Sequence, residues 1–287
     1  MKQRIITSVI GIPILLLALY FYQTYLFNII LSAVCMLAFY EIVGAFKIKK
    51  PVILYLAIVP MALIVLLSDH AAMRQFVPLL LFFFIIYIAV CVIFEIKELS
   101  FVQVSGVVLF CGVVLFGFYS ILSFKLYYPA SQYNYDALYF IMLGFGYAWG
   151  GDSAAYFTGR AFGKHKLAPE VSPNKTIEGA IGGIFGSMVL GVLFTLIYAQ
   201  LLLRFEPSSF SAIDGQSYLA VCGIGAVASV MGILGDLFTS AIKRQCNIKD
   251  YGFIFPGHGG ILDRFDSVLF VMPFVLLMSR VFPIIAR

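Results

Sequence analysis

Asp236, Ser240, Lys243 and Arg244 follow one another at i, i+4, i+7 and i+8 in an otherwise apolar stretch. That spacing places all four on one face of a helix. Leu237, Phe238, Ala241 and Ile242 occupy the other faces. A carboxylate set deep on such a face can hold a divalent cation, and two cationic side chains one to two turns further on can grip phosphate. The same face also suits an intramembrane ion pair followed by basic anchoring at the membrane surface. The next segment adds to the chemistry. Pro256-Gly257-His258-Gly259-Gly260 is a turn built from three glycines around a histidine, and it leads into Asp263, Arg264 and Asp266. Glycines allow a ligand to approach the backbone closely. If a helix has begun there, Asp263 and Asp266 share a face at i, i+3. Carboxylates gathered in this way repel unless a cation lies between them, and Mg²⁺ is a natural neutraliser that commonly shares its coordination with phosphate oxygens. Between 236 and 266 stand eight charged residues, Lys249 and Asp250 among them. Charge inside or beside apolar runs costs insertion energy and marks function.

A second polar block runs from Asp152 to Glu178 and holds Arg160, Lys164, His165, Lys166 and Lys175. Ser172-Pro173 reads as an N-cap followed by a first-turn proline that opens the next helix. Lys175 and Thr176 then sit at a positive helix end suited to phosphate. A capped helix behind a solvated basic loop is the plainer alternative. His165, flanked by lysines, reads as a solvated loop residue, and His70 receives no role. Glu41, near the inner end of an apolar run, reads as a snorkelling side chain or a partner of Lys47.

The elements that must position these residues are membrane helices. Of 287 residues, 62% are apolar and 11% charged, and mean hydropathy is +1.01. A cytosolic enzyme, a disordered chain and a disulfide-rich secreted module are excluded. The net charge of +5 is too small and too scattered for nucleic-acid binding. The five cysteines form no C-x-x-C pair, and Cys35, Cys91, Cys111 and Cys222 read as packing residues. Apolar runs at 5–22, 25–45, 52–67, 76–94, 101–124, 137–157, 177–203, 218–242 and 265–284 each come near the ~20 residues needed to cross a bilayer. The run 52–67 is short enough to tilt or sink. The fold class is therefore an all-α polytopic membrane protein of about nine transmembrane helices, and open sheet is excluded in lipid. Met1-Lys-Gln-Arg4 precedes an uncleaved first span, since no small-residue cleavage site follows. Gly179 with Gly183, and Gly182 with Gly186, are small-residue pairs that mark close helix packing. With the N-terminus cytoplasmic, 14 of the 19 Lys and Arg fall inside and five outside. That bias puts the C-terminus on the opposite side and the loops 158–176 and 243–264 in the cytoplasm.

Missing motifs narrow the chemistry. There is no G-x-x-x-x-G-K-[ST] phosphate loop, no G-x-S-x-G elbow, no H-E-x-x-H and no D-G-x-x-A-R pattern. Carboxylates, cations and backbone must do the work.

The stretch from Ser240 to Asp266 reads S-x-x-K-R-x-x-x-x-K-D followed by H-G-G-x-x-D-R-x-D. It resembles the signature of the phosphatidate cytidylyltransferases, the CDP-diacylglycerol synthases. Gly235-Asp236-Leu, Asp152-x-x-Ala-Tyr156-x-x-Gly159-Arg160 and Ser172-Pro173-x-Lys175-Thr176-x-Glu178-Gly179 are similar to the family as well, with Asn174 in place of the lysine of the commoner S-P-K-K-T form. The likeness covers about 145–284, and the first five spans match in hydropathy and length.

The resemblance implies transfer of CMP from CTP to phosphatidic acid, giving CDP-diacylglycerol and pyrophosphate in phospholipid biosynthesis. It implies an Mg²⁺ (or Mn²⁺) requirement with room for a monovalent partner ion. It also implies a homodimer and a place in the cytoplasmic membrane with the site facing the cytoplasm. On this reading residues 1–135 form an N-terminal transmembrane region and 136–287 the catalytic region. Asp236 and Asp263 hold the metal, with Asp266 as a further ligand. Lys243, Arg244, Lys249 and Arg264 grip the triphosphate and the lipid phosphate. The His258-Gly259-Gly260 turn offers N–H groups to phosphate. Lys175, Ser172, Thr176 and Ser240 contact substrate, and Asp152 and Glu178 stand near the site. The competing readings are an ion-coupled transporter, with Asp152, Asp236 and Asp263 binding ions, and a related lipid-activating enzyme such as a polyprenol kinase.

Overall fold

The computed structural model describes residues 13–48, 51–68, 75–95, 97–133, 135–205, 213–254, 259–282 and 284–285. The first apolar run is described from residue 13 and is helical over 13–20. The elements that follow are α1 (Tyr25–Ala45), α2 (Pro51–Leu56), α3 (Ile58–Leu67), α4 (Val77–Phe94), α5 (Phe101–Tyr127), α6 (Ala130–Tyr133), α7 (Asp136–Phe145), a π-helical turn (Gly146–Gly150), α8 (Gly151–Phe162), β1 (Lys166–Ala168), β2 (Ser172–Thr176), α9 (Ile177–Phe205), α10 (Gly215–Gln245), α11 (Leu262–Phe265) and α12 (Val268–Val281). Among the described residues, α1, α4, α5, α9 and α10 are the five helices long and apolar enough to cross a membrane. The chain is an all-α membrane protein, with one small β-hairpin among the described residues. Apolar side chains cover α4 on its exposed faces, with Phe82, Phe83, Ile85, Ile93 and Phe94 all open. That is the surface expected of a helix bathed in lipid and is untenable in water.

Two compact units make up the chain. The first comprises Met1–Tyr127 and Ile242–Phe265, the second Tyr128–Ala241 and Asp266–Arg287. In the first unit α1 packs against α3 and α5, with Phe39, Ile42, Val114, Phe118 and Ile121 fully buried. Buried polar groups there are satisfied across helices. Ser32 donates to the Ala62 carbonyl at 2.9 Å, and Lys125 donates to Asn28 Oδ1 at 2.9 Å. The short run expected at 52–67 is two helices, α2 and α3, that break at Ala57. Two aromatic contacts tie later residues of this unit to α5, Tyr251 against Phe110 (ring centroids 5.5 Å apart) and Phe265 against Phe118 (5.4 Å).

In the second unit α7, the π turn and α8 follow without interruption, so helix continues to Phe162, past the end expected at 157. α9 packs along α8 through small residues. A Cβ on Gly186 would lie 2.3 Å from the Ala154 Cβ, and one on Gly179 would lie 2.8 Å from the Ala155 carbonyl. The small-residue pairs thus mark close helix approach. The π turn gains a partner in Ser187, whose hydroxyl donates to the Tyr147 carbonyl at 3.1 Å. Asp214 and Ser217 form a reciprocal cap at the start of α10, each side chain accepting the other's backbone N–H at 2.9 and 3.2 Å.

Candidate active site

α10 is 31 residues of continuous helix, so the expected face forms. Ser240 Oγ donates to Asp236 Oδ1 at 3.1 Å, one turn along. The other Asp236 oxygen, Oδ2, meets Lys175 Nζ at 2.6 Å. Sequence spacing gives no hint of this pair, because Lys175 and Asp236 stand on different elements. The Asp236 side chain is 25% exposed and that of Lys175 22%. This carboxylate is therefore held in place yet open to a ligand.

Lys175 reaches Asp236 from β2, and here the structure corrects an expectation. Ser172 and Pro173 do not cap a helix. They lie in the strand Ser172–Thr176, which pairs antiparallel with Lys166–Ala168. Proline is tolerated because a two-stranded ribbon has only edge strands. The helix starts four residues later, and Thr176 is its cap, with Oγ1 accepting the Gly179 N–H at 3.1 Å. Lys175 and Thr176 still sit at the helix start, as expected. Glu178 accepts the Lys164 N–H at 3.0 Å and the His165 N–H at 3.2 Å, and its Oε1 lies 2.6 Å from His165 Nδ1. It ties the hairpin to the first turn of α9. His165 is otherwise exposed, as a loop residue should be. Asp152 is half-buried in the first turn of α8.

In the first unit, Asp263 is the centre of a second constellation. Its Oδ1 accepts Lys243 Nζ at 2.8 Å. Its Oδ2 accepts the backbone N–H groups of Tyr251 and Gly260, both at 2.9 Å. The side chain is 4% exposed and that of Lys243 15%. Gly259 has φ +81°, a conformation that favours glycine, and a Cβ there would lie 2.7 Å from Asp263 Oδ2. The Gly260 N–H, expected to face phosphate, is thus donated to Asp263. Lys243 Nζ also lies over the Tyr251 ring, 5.6 Å from its centroid. Arg244, Lys249 and Arg264 are exposed. His258, with Pro256 and Gly257, lies outside the described residues.

The shared face expected for Asp263 and Asp266 required a continuous helix, and the helix is not continuous. Asp263 belongs to the four-residue α11, whereas Asp266 stands in the turn before α12 and accepts the Ser267 N–H at 2.9 Å. Glu41 departs from its expectation too. It is 3% exposed, neither snorkelling nor solvated, and accepts the N–H groups of Ile261 (2.9 Å) and Leu262 (3.0 Å). The signal that could have found it is an ionisable residue in an apolar run, which usually has a task.

Among the described residues no three His, Cys, Asp or Glu side chains gather into a metal-holding group. The donor set nevertheless fits a hard divalent cation. Mg²⁺ takes one or two carboxylates and completes its shell with water and substrate phosphate. The half-open Asp236 carboxylate, with an ammonium already on one oxygen, is the group best suited to it.

The chain can be placed by likeness. Residues 2–282 match the model of the cytidylyltransferase family. The phosphatidate cytidylyltransferase of Bacillus subtilis (strain 168) is 33% identical over 293 residues, covering 98% of both chains. That of Haemophilus influenzae is 29% identical over 292 residues, 96% of both. That of Staphylococcus aureus (strain COL) is 40% identical over 145 residues, half of each chain. With the family model matched from end to end and a full-length relative a third identical, this chain belongs to the cytidylyltransferase family.

Proposed function

We propose that the protein is a phosphatidate cytidylyltransferase. A phosphatidic acid phosphate oxygen attacks the α-phosphorus of CTP. The new P–O bond forms as the bond from the α-phosphorus to the bridging oxygen breaks, and pyrophosphate leaves. The products are CDP-diacylglycerol and pyrophosphate. The observation that carries the reading is the Asp236 carboxylate, fixed by Lys175 and Ser240 and a quarter exposed, among the apolar residues of α10 and two turns before Lys243 and Arg244. The full-length likeness to phosphatidate cytidylyltransferases supplies the substrates.

The nucleophile is already an anion, so repulsion between two anionic substrates is the main barrier. Positioned cations and a bound metal lower it. Asp236 and Asp263 would hold Mg²⁺ or Mn²⁺, with Asp266 as a further ligand and room for a monovalent partner ion. The metal, when bound, neutralises phosphate charge as a Lewis acid. Lys243, Arg244, Lys249 and Arg264 bind the triphosphate and the lipid phosphate. Lys175, Ser172, Thr176 and Ser240 add contacts to substrate, and His258 and Gly259 of the His258-Gly259-Gly260 turn would face phosphate, the Gly260 N–H being taken by Asp263. Asp152 and Glu178 support the site. Nine spans place the N-terminus in the cytoplasm and the C-terminus opposite, with the site facing the cytoplasm from the cytoplasmic membrane, in a homodimer. The 14-to-5 division of basic residues supports that orientation. The transporter and polyprenol kinase readings draw no support from the relatives.

Purified protein in detergent, given phosphatidic acid, labelled CTP and Mg²⁺, should release pyrophosphate and form CDP-lipid. EDTA should stop the reaction, and ATP, GTP and UTP should not replace CTP. Folded protein that makes no product from any nucleotide would refute the assignment.

A further inference from the structure

Glu41 is a buried carboxylate with an unusual pair of partners. It stands on α1, and the two amides it binds lie 220 and 221 residues away. Each carboxylate oxygen takes one of two consecutive N–H groups, Oε1 that of Ile261 and Oε2 that of Leu262. Both donors belong to fully buried residues and would otherwise be unsatisfied. Two glycines make room for the carboxylate. A Cβ on Gly252 or on Gly260 would lie 2.3 Å from Glu41 Oε1. The next amide back, that of Gly260, goes to Asp263. Three successive backbone N–H groups are thus bound to two carboxylates, and the second of these is Asp263.

We infer that Glu41 is a positioning residue: it clamps the 260–262 turn and thereby fixes the Asp263 carboxylate and its Lys243 partner. The inference rests on the reading that Asp263 and Lys243 serve cytidyl transfer. It gives α1, which carries no part of the signature, a defined part in the reaction. Charge balance alone does not explain the arrangement, because a neutral side chain would bury at lower cost. What a carboxylate supplies is two acceptors at the spacing of two consecutive amides. Glutamine keeps the shape but sets an NH₂ donor against one N–H. Aspartate keeps the charge but is one methylene too short.

The test is Glu41→Gln in the full chain, in detergent, followed in two ways. Hydrogen exchange at Ile261 and Leu262 should accelerate about 10- to 100-fold while α1 and α5 stay protected. The kcat should fall about 10- to 100-fold with KM for CTP and phosphatidic acid within about threefold, because Glu41 aligns a group and does not itself bind substrate. Unchanged exchange at the two amides, or kcat within twofold of the wild type, would overturn the inference. If Glu41→Gln does not fold, Gly252→Ala makes the same test, since its Cβ displaces the carboxylate without removing it. The same split is expected, and its absence is equally decisive. Wild-type protein that makes no CDP-lipid would remove the reading on which the inference rests, whereas active wild type beside an equally active Glu41→Gln variant would overturn the inference alone.

Discussion

Asp236 and Asp263 each meet a lysine, but in different surroundings, and the difference sets what their variants should do. Asp236 and Lys175 are both about a quarter exposed, so water reaches the pair and screens it more than it does Asp263 and Lys243. Lys175→Met should therefore reduce turnover at least tenfold with little shift in melting temperature. Asp263 and Lys243 are nearly buried, and removing the lysine leaves a carboxylate uncompensated. Lys243→Met should cost about 3 kcal/mol of stability as well as activity, a penalty typical of breaking a buried pair. Melting curves of the two variants in one detergent separate these outcomes. Asp236→Asn, isosteric and still able to meet Ser240, should abolish turnover while the protein stays folded. Near-normal turnover in that variant would remove Asp236 from the metal site.

At the scale of elements, glycine has opposite effects at different places on the helices. Gly186 of α9 faces Ala154 of α8 so closely that an added methyl would sit 2.3 Å from another Cβ. Gly186→Ala should force the helices apart and destabilise by about 1–3 kcal/mol. Gly223 of α10 has nothing within 4 Å of an added Cβ. Gly223→Ala should instead be neutral or stabilise by about 0.5–1 kcal/mol, since alanine is the better helix former. Thermal unfolding of both variants gives the comparison, and equal shifts would contradict the packing. The β-hairpin is the other decisive element. By carrying Lys175 on β2 it brings a cation to Asp236, which a simple helix opening at Ser172 would not have arranged.

At the scale of the whole molecule, α10 orders the expected topology. Its 31 residues span about 46 Å at 1.5 Å per residue, enough to cross a ~30 Å hydrocarbon core with both ends in the headgroup regions. Gln216 and Phe253, both exposed, should then lie on opposite sides of the membrane. Single cysteines placed by Gln216→Cys and Phe253→Cys in a cysteine-free background should react with a membrane-impermeant maleimide from opposite faces. In inside-out vesicles the label should reach 253 and not 216. Labelling of both from one face would overturn the proposed orientation.

The amino-acid sequence by itself determined the class of molecule and the chemical character of the site. Apolar runs long enough for lipid leave the backbone no choice but helix, because unpaired N–H and C=O groups cannot be hydrated there. The face bearing Asp236 and Ser240 followed from helical periodicity, a local property, and the structure carries the hydrogen bond that periodicity requires. Polar segments were less legible. The stretch 165–176 closes a hairpin where a cap-and-proline pattern pointed to a helix, because strand pairing is a choice between segments and not a property of either one. Only the tertiary structure decided which cation meets which carboxylate and what Glu41 does. Lys175 with Asp236, and Glu41 with Ile261 and Leu262, are contacts between residues 61 and more than 200 positions apart. Chain spacing is silent about such pairs, because packing brings them together and no repeat of the backbone does.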